Sequence, residues 1–199
     1  VPVSRPALRR WGGGSALTRR GRGASGGTPD PLTRDHPARP GVKVEHPRPP
    51  ARPGAVAAAV AELRHRGVTR VALVGASMGG AAVLIAGTRV QPPVAAVVSL
   101  SGEADPTSLV GGIPLNAGAA VKQLAVPTMF VVATNDRYVS VEETRAMYQA
   151  VNTGDKRLTV ASGPFDGRHG WQLLNDPASG EFSSVAANVA AFLTAHTRG

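Results

Sequence analysis

The sequence predicts an α/β domain, a mostly parallel sheet flanked by helices, and three observations point to it. Short apolar runs at 71–74, 94–100 and 127–133 alternate with segments whose apolar residues recur at helical spacing. Strands that alternate with helices imply right-handed crossovers and parallel pairing. The run at 71–74 is apolar throughout, as a strand covered on both faces is. Finally, the pattern begins abruptly at Gly54, which divides the chain into a basic segment, 1–53, and a compact domain, 54–199.

Taken in order, Ala55 to Arg66 reads as a helix, with Val56, Val60 and Leu63 at helical spacing and Gly67 as its stop. Val71 to Val74 is the first strand, and Gly79 to Thr88 is an Ala-rich helix whose small side chains allow close packing on the sheet. Val94 to Leu100 is a strand, Ala117 to Leu124 a helix, and Pro127 to Ala133 a third strand. Val141 to Val151 is a helix, Arg157 to Ala161 a fourth strand, and Ser183 to His196 a closing helix. No repeat of 20 to 50 residues interrupts the series.

The segment before Gly54 has another composition. It holds ten of the 17 prolines, eight of the 24 glycines, and 11 of the 22 Lys and Arg against three of the 13 acids. Nearly all of the chain's net charge of +9 therefore lies there, and the domain is close to neutral. Its few large apolar residues show neither period two nor period 3.6, so disorder or loose coil is expected. A solvated tail, a basic tail for an anionic partner, and an out-of-frame translation of GC-rich DNA all fit that composition. Nucleic acid is disfavoured as a partner, since only Trp11 could stack on a base and no recognition motif is present.

Composition also excludes some chemistry. There is no cysteine, hence no disulfide framework and no thiolate metal site. No run approaches the roughly 18 apolar residues of a membrane span, and Val1 to Arg10 lacks the apolar core of a signal peptide. The expectation is a soluble protein with the cytoplasm favoured. The chain starts at Val1, so its true start is expected elsewhere.

The chemistry concentrates at Gly75-Ala76-Ser77-Met78-Gly79-Gly80, a G-x-S-x-G turn between a strand and a helix. Such a turn lifts a serine above the end of the sheet in a strained backbone conformation. Gly75 and Gly79 are expected where a side chain would collide as the turn closes. The same pattern occurs at Gly23-Ala24-Ser25-Gly26-Gly27, but without a strand before it or a helix after it, so Ser25 is set aside. A serine hydroxyl needs a base, and the base an orienting carboxylate. Both should lie in loops after later strands, and Asp136 and His169 do so in the order Ser, acid, His. Glu103 and Asp105, after the preceding strand, are alternative acids. His36 and His46 lie in the basic segment, His65 on the first helix and His196 at a terminus expected to fray.

Residues 54–199 resemble the C-terminal part of an α/β-hydrolase-fold serine hydrolase of the small capless esterase or dienelactone-hydrolase-like kind. The resemblance rests on the Ser77 turn, on Thr134-Asn135-Asp136-Arg137-Tyr138-Val139 and on His169-Gly170. It implies hydrolysis of small carboxylic esters through an acyl-enzyme by a Ser77–His169–Asp136 triad, with neither metal nor organic cofactor. It also implies that the Met78 N–H is one oxyanion donor. The dienelactone hydrolases proper usually carry cysteine where this chain has Ser77. The strands that precede the nucleophile strand in such folds, and with them the second oxyanion donor, have no counterpart, and Gly12-Gly13-Gly14 has no strand leading into it. A non-catalytic α/β-hydrolase remnant is therefore the alternative. Between Leu100 and Pro127 there is room for no large lid, so an open cleft is expected, with Leu109, Ile113, Leu115 and Trp171 as candidate lining.

Overall fold

A computed structural model describes residues 53–105 and 115–198. The expectations for residues 1–52, including Ser25 and Gly12-Gly13-Gly14, and for Leu109 and Ile113 concern residues outside that range.

The elements run α1 (Pro53–His65), β1 (Ala72–Ala76), α2 (Met78–Arg89), β2 (Ala96–Leu100), α3 (Ala117–Ala120), β3 (Thr128–Ala133), α4 (Val141–Ala150), β4 (Lys156–Ala161) and α5 (Ser184–Thr197). The four strands form one sheet in the order β1-β2-β3-β4. Every pairing in it is parallel. All carboxyl ends therefore open on the same side, the position where sites in open parallel sheets form.

Period-two alternation sends neighbouring strand residues into two cores. Leu73, Val97 and Phe130 pack with Val83, Leu84, Val121, Leu124 and Met147 from α2 to α4. Val98, Leu100, Met129 and Val131 pack on the other face with Phe165, Leu173, Val185, Val189 and Phe192, from α5 and the segment before it. The small residues of α2 allow the predicted close approach. A Cβ on Gly87 would stand 2.9 Å from both Leu124 Cδ1 and Val97 Cγ2.

Local signals end the helices where physical chemistry expects. Gly67 takes a left-handed φ of 88°, and Val68 N–H donates to Leu63 O at 3.0 Å to close α1. Ser140 and Ser183 cap α4 and α5, their Oγ atoms accepting from Glu143 N and Ala186 N.

Several expectations are corrected. Leu63 is exposed although it shares the helical spacing of the buried Val60. Ala72 and Val74 are only half-buried, because β1 is an edge strand among the described residues and its second face is partly covered. The helix expected over 117–124 is one α turn followed by a 3-10 turn, Val121–Gln123. Leu115 packs in the core and is not among the residues that line the Ser77 cleft. His196 is not frayed: its Nδ1 meets Phe192 O and its Nε2 meets Asp155 Oδ2, both at 2.7 Å.

Candidate active site

Ser77 joins β1 to α2 with φ 55° and ψ −128°, a conformation that an L side chain rarely adopts. Its N–H donates to Leu100 O at 2.9 Å, and its carbonyl accepts from Gly80 N and Ala81 N, so the turn is held from the sheet and from the helix. Its side chain makes no capping bond. The first N–H of α2, that of Met78, has no acceptor among the described residues, as is usual for the first helical turn.

The glycines around Ser77 are not equivalent. A Cβ on Gly75 would run into the backbone carbonyl of Gly79, 2.5 Å from its carbon and 2.9 Å from Gly80 N. A Cβ on Gly79 would meet nothing within 4 Å, so the collision expected there is absent. The second crowded position is Gly80, where a Cβ would lie 2.8 Å from both Gly102 Cα and Ser99 Oγ. That approach locks the start of α2 to the end of β2.

Asp136 follows β3 directly, beyond Asn135 at a left-handed φ of 58°. It does not cap α4, a role that Ser140 fills. Its Oδ1 accepts from Tyr138 N at 3.0 Å, and the fully buried carboxylate lies against His169. His169 Nδ1 stands 2.9 and 3.0 Å from the two carboxylate oxygens, with 19% of its side chain exposed. The ring is further bounded by Tyr138, whose ring centroid lies 4.6 Å away. Nδ1 is thereby committed to the carboxylate, which leaves Nε2 as the nitrogen available for proton exchange.

The His169 segment returns from β4, at one edge of the sheet, to β1 at the other. Gly167 N–H donates to Thr134 O at 2.7 Å, and Gly170 N–H donates to the buried Ser101 Oγ at 3.0 Å. Gly170, at φ 56°, brings its backbone against Ala76 and Ser77: a Cβ there would lie 3.2 Å from Ala76 Cβ. Ser77 and His169 share a cleft of about 620 Å³, lined also by Arg137, Tyr138, Arg168 and Trp171. No direct hydrogen bond joins Ser77 Oγ to the His169 ring among the described residues.

Of the alternative acids, Asp105 is exposed and Glu103 half-buried. Burial pushes the Glu103 carboxyl up, Glu143 and Asp136 add to the rise, and a charged His169 opposes it. His65 lies on α1 and His196 in α5, and neither lines the cleft that holds Ser77. Sequence reasoning missed Ser101, a buried non-glycine residue at φ 49°. Its position directly after β2 was the available signal. Among the described residues no group of three or more His, Asp or Glu could hold a metal ion.

The sequence model of the dienelactone hydrolase family matches residues 39–190. The chain belongs to that family. Solved structures with the same fold include a Paleococcus ferrophilus monoacylglycerol lipase, 15% identical, covering 73% of this chain and 76% of that one, TM-score 0.57. The dienelactone hydrolase of Anabaena variabilis is 23% identical, covering 73% of this chain and 60% of that one, TM-score 0.57. A Pyrococcus furiosus esterase is 16% identical, covering 72% and 61%, TM-score 0.58. The chain thus spans roughly three fifths of the last two. No curated protein matches the sequence. Family and fold are those of α/β-hydrolases, as the Ser77, Asp136 and His169 motifs led one to expect. No helix among the described residues is long and apolar enough to cross a membrane.

Proposed function

We propose that the chain is a carboxylic ester hydrolase that acts on small-molecule esters through a Ser77–His169–Asp136 triad. The observation that carries the reading is the Asp136–His169 hydrogen bond, set in the cleft that Ser77 also lines. With Nδ1 engaged by Asp136, His169 Nε2 takes the proton of Ser77 Oγ as that oxygen attacks the ester carbonyl carbon. The oxyanion of the tetrahedral species lies at the start of α2, where the Met78 N–H donates to it. Collapse breaks the C–O bond, His169 returns the proton to the departing alkoxide, and the acyl group stays on Ser77. Water then repeats the sequence with His169 as base, releasing the acid and restoring the serine. A substrate carbonyl in the cleft closes the Ser77–His169 contact, which is often loose in empty sites.

The reading assigns residues 54–199 as the catalytic domain and requires no organic cofactor or metal. It is preferred over a non-catalytic remnant because a fully buried carboxylate bonded to an imidazole that still reaches the cleft has a use in catalysis and little in a bare scaffold. The test is labelling by a fluorophosphonate probe. The native chain should take up one equivalent, and Ser77→Ala none. Labelling that survives in Ser77→Ala would overturn the assignment.

A further inference from the structure

We propose that Tyr138 and Trp171 select the alcohol half of the ester, and that the alcohol they favour carries a flat aromatic ring. The inference rests on the triad reading above and names the substrate class of that site. Among the described residues six large apolar side chains are exposed, and of these only Tyr138, at 69%, and Trp171, at 54%, line the Ser77 cleft. A single exposed apolar side chain is ordinary. Two on the walls of one cleft are not, in a chain with only two tryptophans and two tyrosines. Such rings present flat apolar faces to water, and a flat apolar ligand is what relieves that exposure.

Both aromatics are tied to the triad through the backbone. Tyr138 N–H donates to Asp136 Oδ1 at 3.0 Å, and its ring stands against that of His169, tilted by 58° with 4.6 Å between centroids. Trp171 sits in the 3-10 turn Gly170–Leu174, directly after the histidine. That turn is closed on His169 twice over. His169 N–H donates to Gln172 Oε1 at 3.0 Å, and Gln172 N–H donates to His169 O at 3.2 Å. Gly170, between His169 and Trp171, is held by Ser101 Oγ and packed toward Ala76 and Ser77. One aromatic therefore comes from the loop of the acid and the other from the loop of the base. The cleft they share, of about 620 Å³, has room for a one-ring group.

The chemistry decides which half of the ester meets them. The acyl group ends the first step bonded to Ser77, whereas the alcohol oxygen takes its proton from His169 Nε2 and so lies within about 3 Å of it. Whatever that oxygen carries is placed beside the imidazole, where Tyr138 and Trp171 stand. For a benzyl ester the acyl C–O bond breaks and benzyl alcohol leaves with the proton from His169. Water then adds its hydroxyl to the acyl carbon, and its other proton returns by way of His169 to Ser77. Aromatic pairs gain stability beyond the area they bury, so a planar ring is favoured over a saturated ring of the same carbon count.

The test compares benzyl acetate with cyclohexylmethyl acetate, which differ in the flatness of the ring and little in the leaving ability of the alcohol. The native chain should prefer the benzyl ester in kcat/KM by about tenfold, and Trp171→Ala or Tyr138→Ala should each cut that ratio about threefold, the size of one aromatic pair. Trp171→Phe and Tyr138→Phe should keep most of it. The ratio cancels any loss of fold or activity common to both esters. The alanine variants should leave unchanged the ratio of methyl phenylacetate to methyl cyclohexylacetate, whose rings sit in the acyl half. A benzyl preference that survives both alanine variants, or a loss confined to the phenylacetate ratio, overturns the proposal. Binding is read apart from hydrolysis in the double variant Trp11→Phe, Ser77→Ala, where Trp171 is the sole tryptophan. Benzyl acetate should change its fluorescence and cyclohexylmethyl acetate should not; an equal response to both overturns the ring preference. A chain that hydrolyses no ester would refute the triad reading, and the fluorescence titration would still decide this one.

Discussion

Adding one methyl group at Gly75 and one at Gly79 should have opposite effects, although both are glycines of the same five-residue turn. In Gly75→Ala the new Cβ falls 2.5 Å from Gly79 C and 2.9 Å from Gly80 N. These are backbone atoms of the turn itself and cannot rotate aside. Ordinary carbon contact begins near 3.5 Å, so the turn has to open by about 1 Å. Overpacking of this kind costs about 3 kcal/mol, which corresponds to a fall in Tm of about 6–12 °C for a domain of this size. A shift of about 1 Å at a nucleophile can by itself cost about 100-fold in rate. Gly79→Ala places its Cβ in open space, within α2 and at a negative φ. Replacing a helical glycine there gains up to about 1 kcal/mol, a rise in Tm of about 1–4 °C. Thermal melts followed by circular dichroism, with fluorophosphonate labelling rates on the same samples, measure both effects. Equal Tm values and labelling rates for the two variants would refute the close approach of Gly75 to Gly79.

Ser101→Ala leaves the Gly170 N–H without its buried acceptor, a loss of about 1–3 kcal/mol. A Tm lowered by several degrees and a labelling rate reduced about tenfold are expected, and an unchanged labelling rate would show that the His169 segment does not depend on this bond. At the far end of the sheet, both ring nitrogens of His196 face acceptors, so only its charged form donates to both. The bond to the Phe192 carbonyl, then Asp155, holds its proton more tightly than usual. Its stabilising contribution is therefore complete below the unfolded value of about 6.5 and is lost as pH rises through the higher folded value. Because Asp155 is half-exposed, Asp155→Asn should cost at most about 1 kcal/mol. The difference in Tm from native should be largest near pH 5.5 and close at higher pH; a difference independent of pH would contradict the pairing.

The parts of the site legible in the sequence are those that follow from topology. Once strands and helices alternate, the sheet is parallel and the residues after its strands share one side, so Ser77, Asp136 and His169 could be grouped without coordinates. The apolar runs likewise resolved into elements, because Val97 and Val98, or Met129 and Phe130, need two cores. What escaped depends on cross-chain distances that no local pattern encodes. Gly75 and Gly79 look alike in the motif, yet only Gly75 meets backbone, and Gly80, outside the motif, is the one wedged against Gly102. Ser101 reads as an ordinary strand-end serine until the His169 segment is seen to cross above it. Leu115 and Leu63 show the same gap in reverse, one buried and one exposed, because burial depends on which neighbour covers a face.

The sequential strand order also sets a ruler. Ser77 and the start of the His169 segment stand at opposite edges of the four described strands, three strand spacings apart. At about 4.8 Å per spacing that is roughly 14–15 Å. The chain between Ala161 and Gly170 must bridge that width, although its fully extended reach of about 30 Å is shortened by a 3-10 turn at Gly163–Phe165 and by the descent of Phe165 into the core. The length of this segment is thus matched to the breadth of the sheet. Removing three or four residues from it would draw Gly170 back from Ala76 and Ser77 while the imidazole stayed beside Asp136, with every strand and helix still intact.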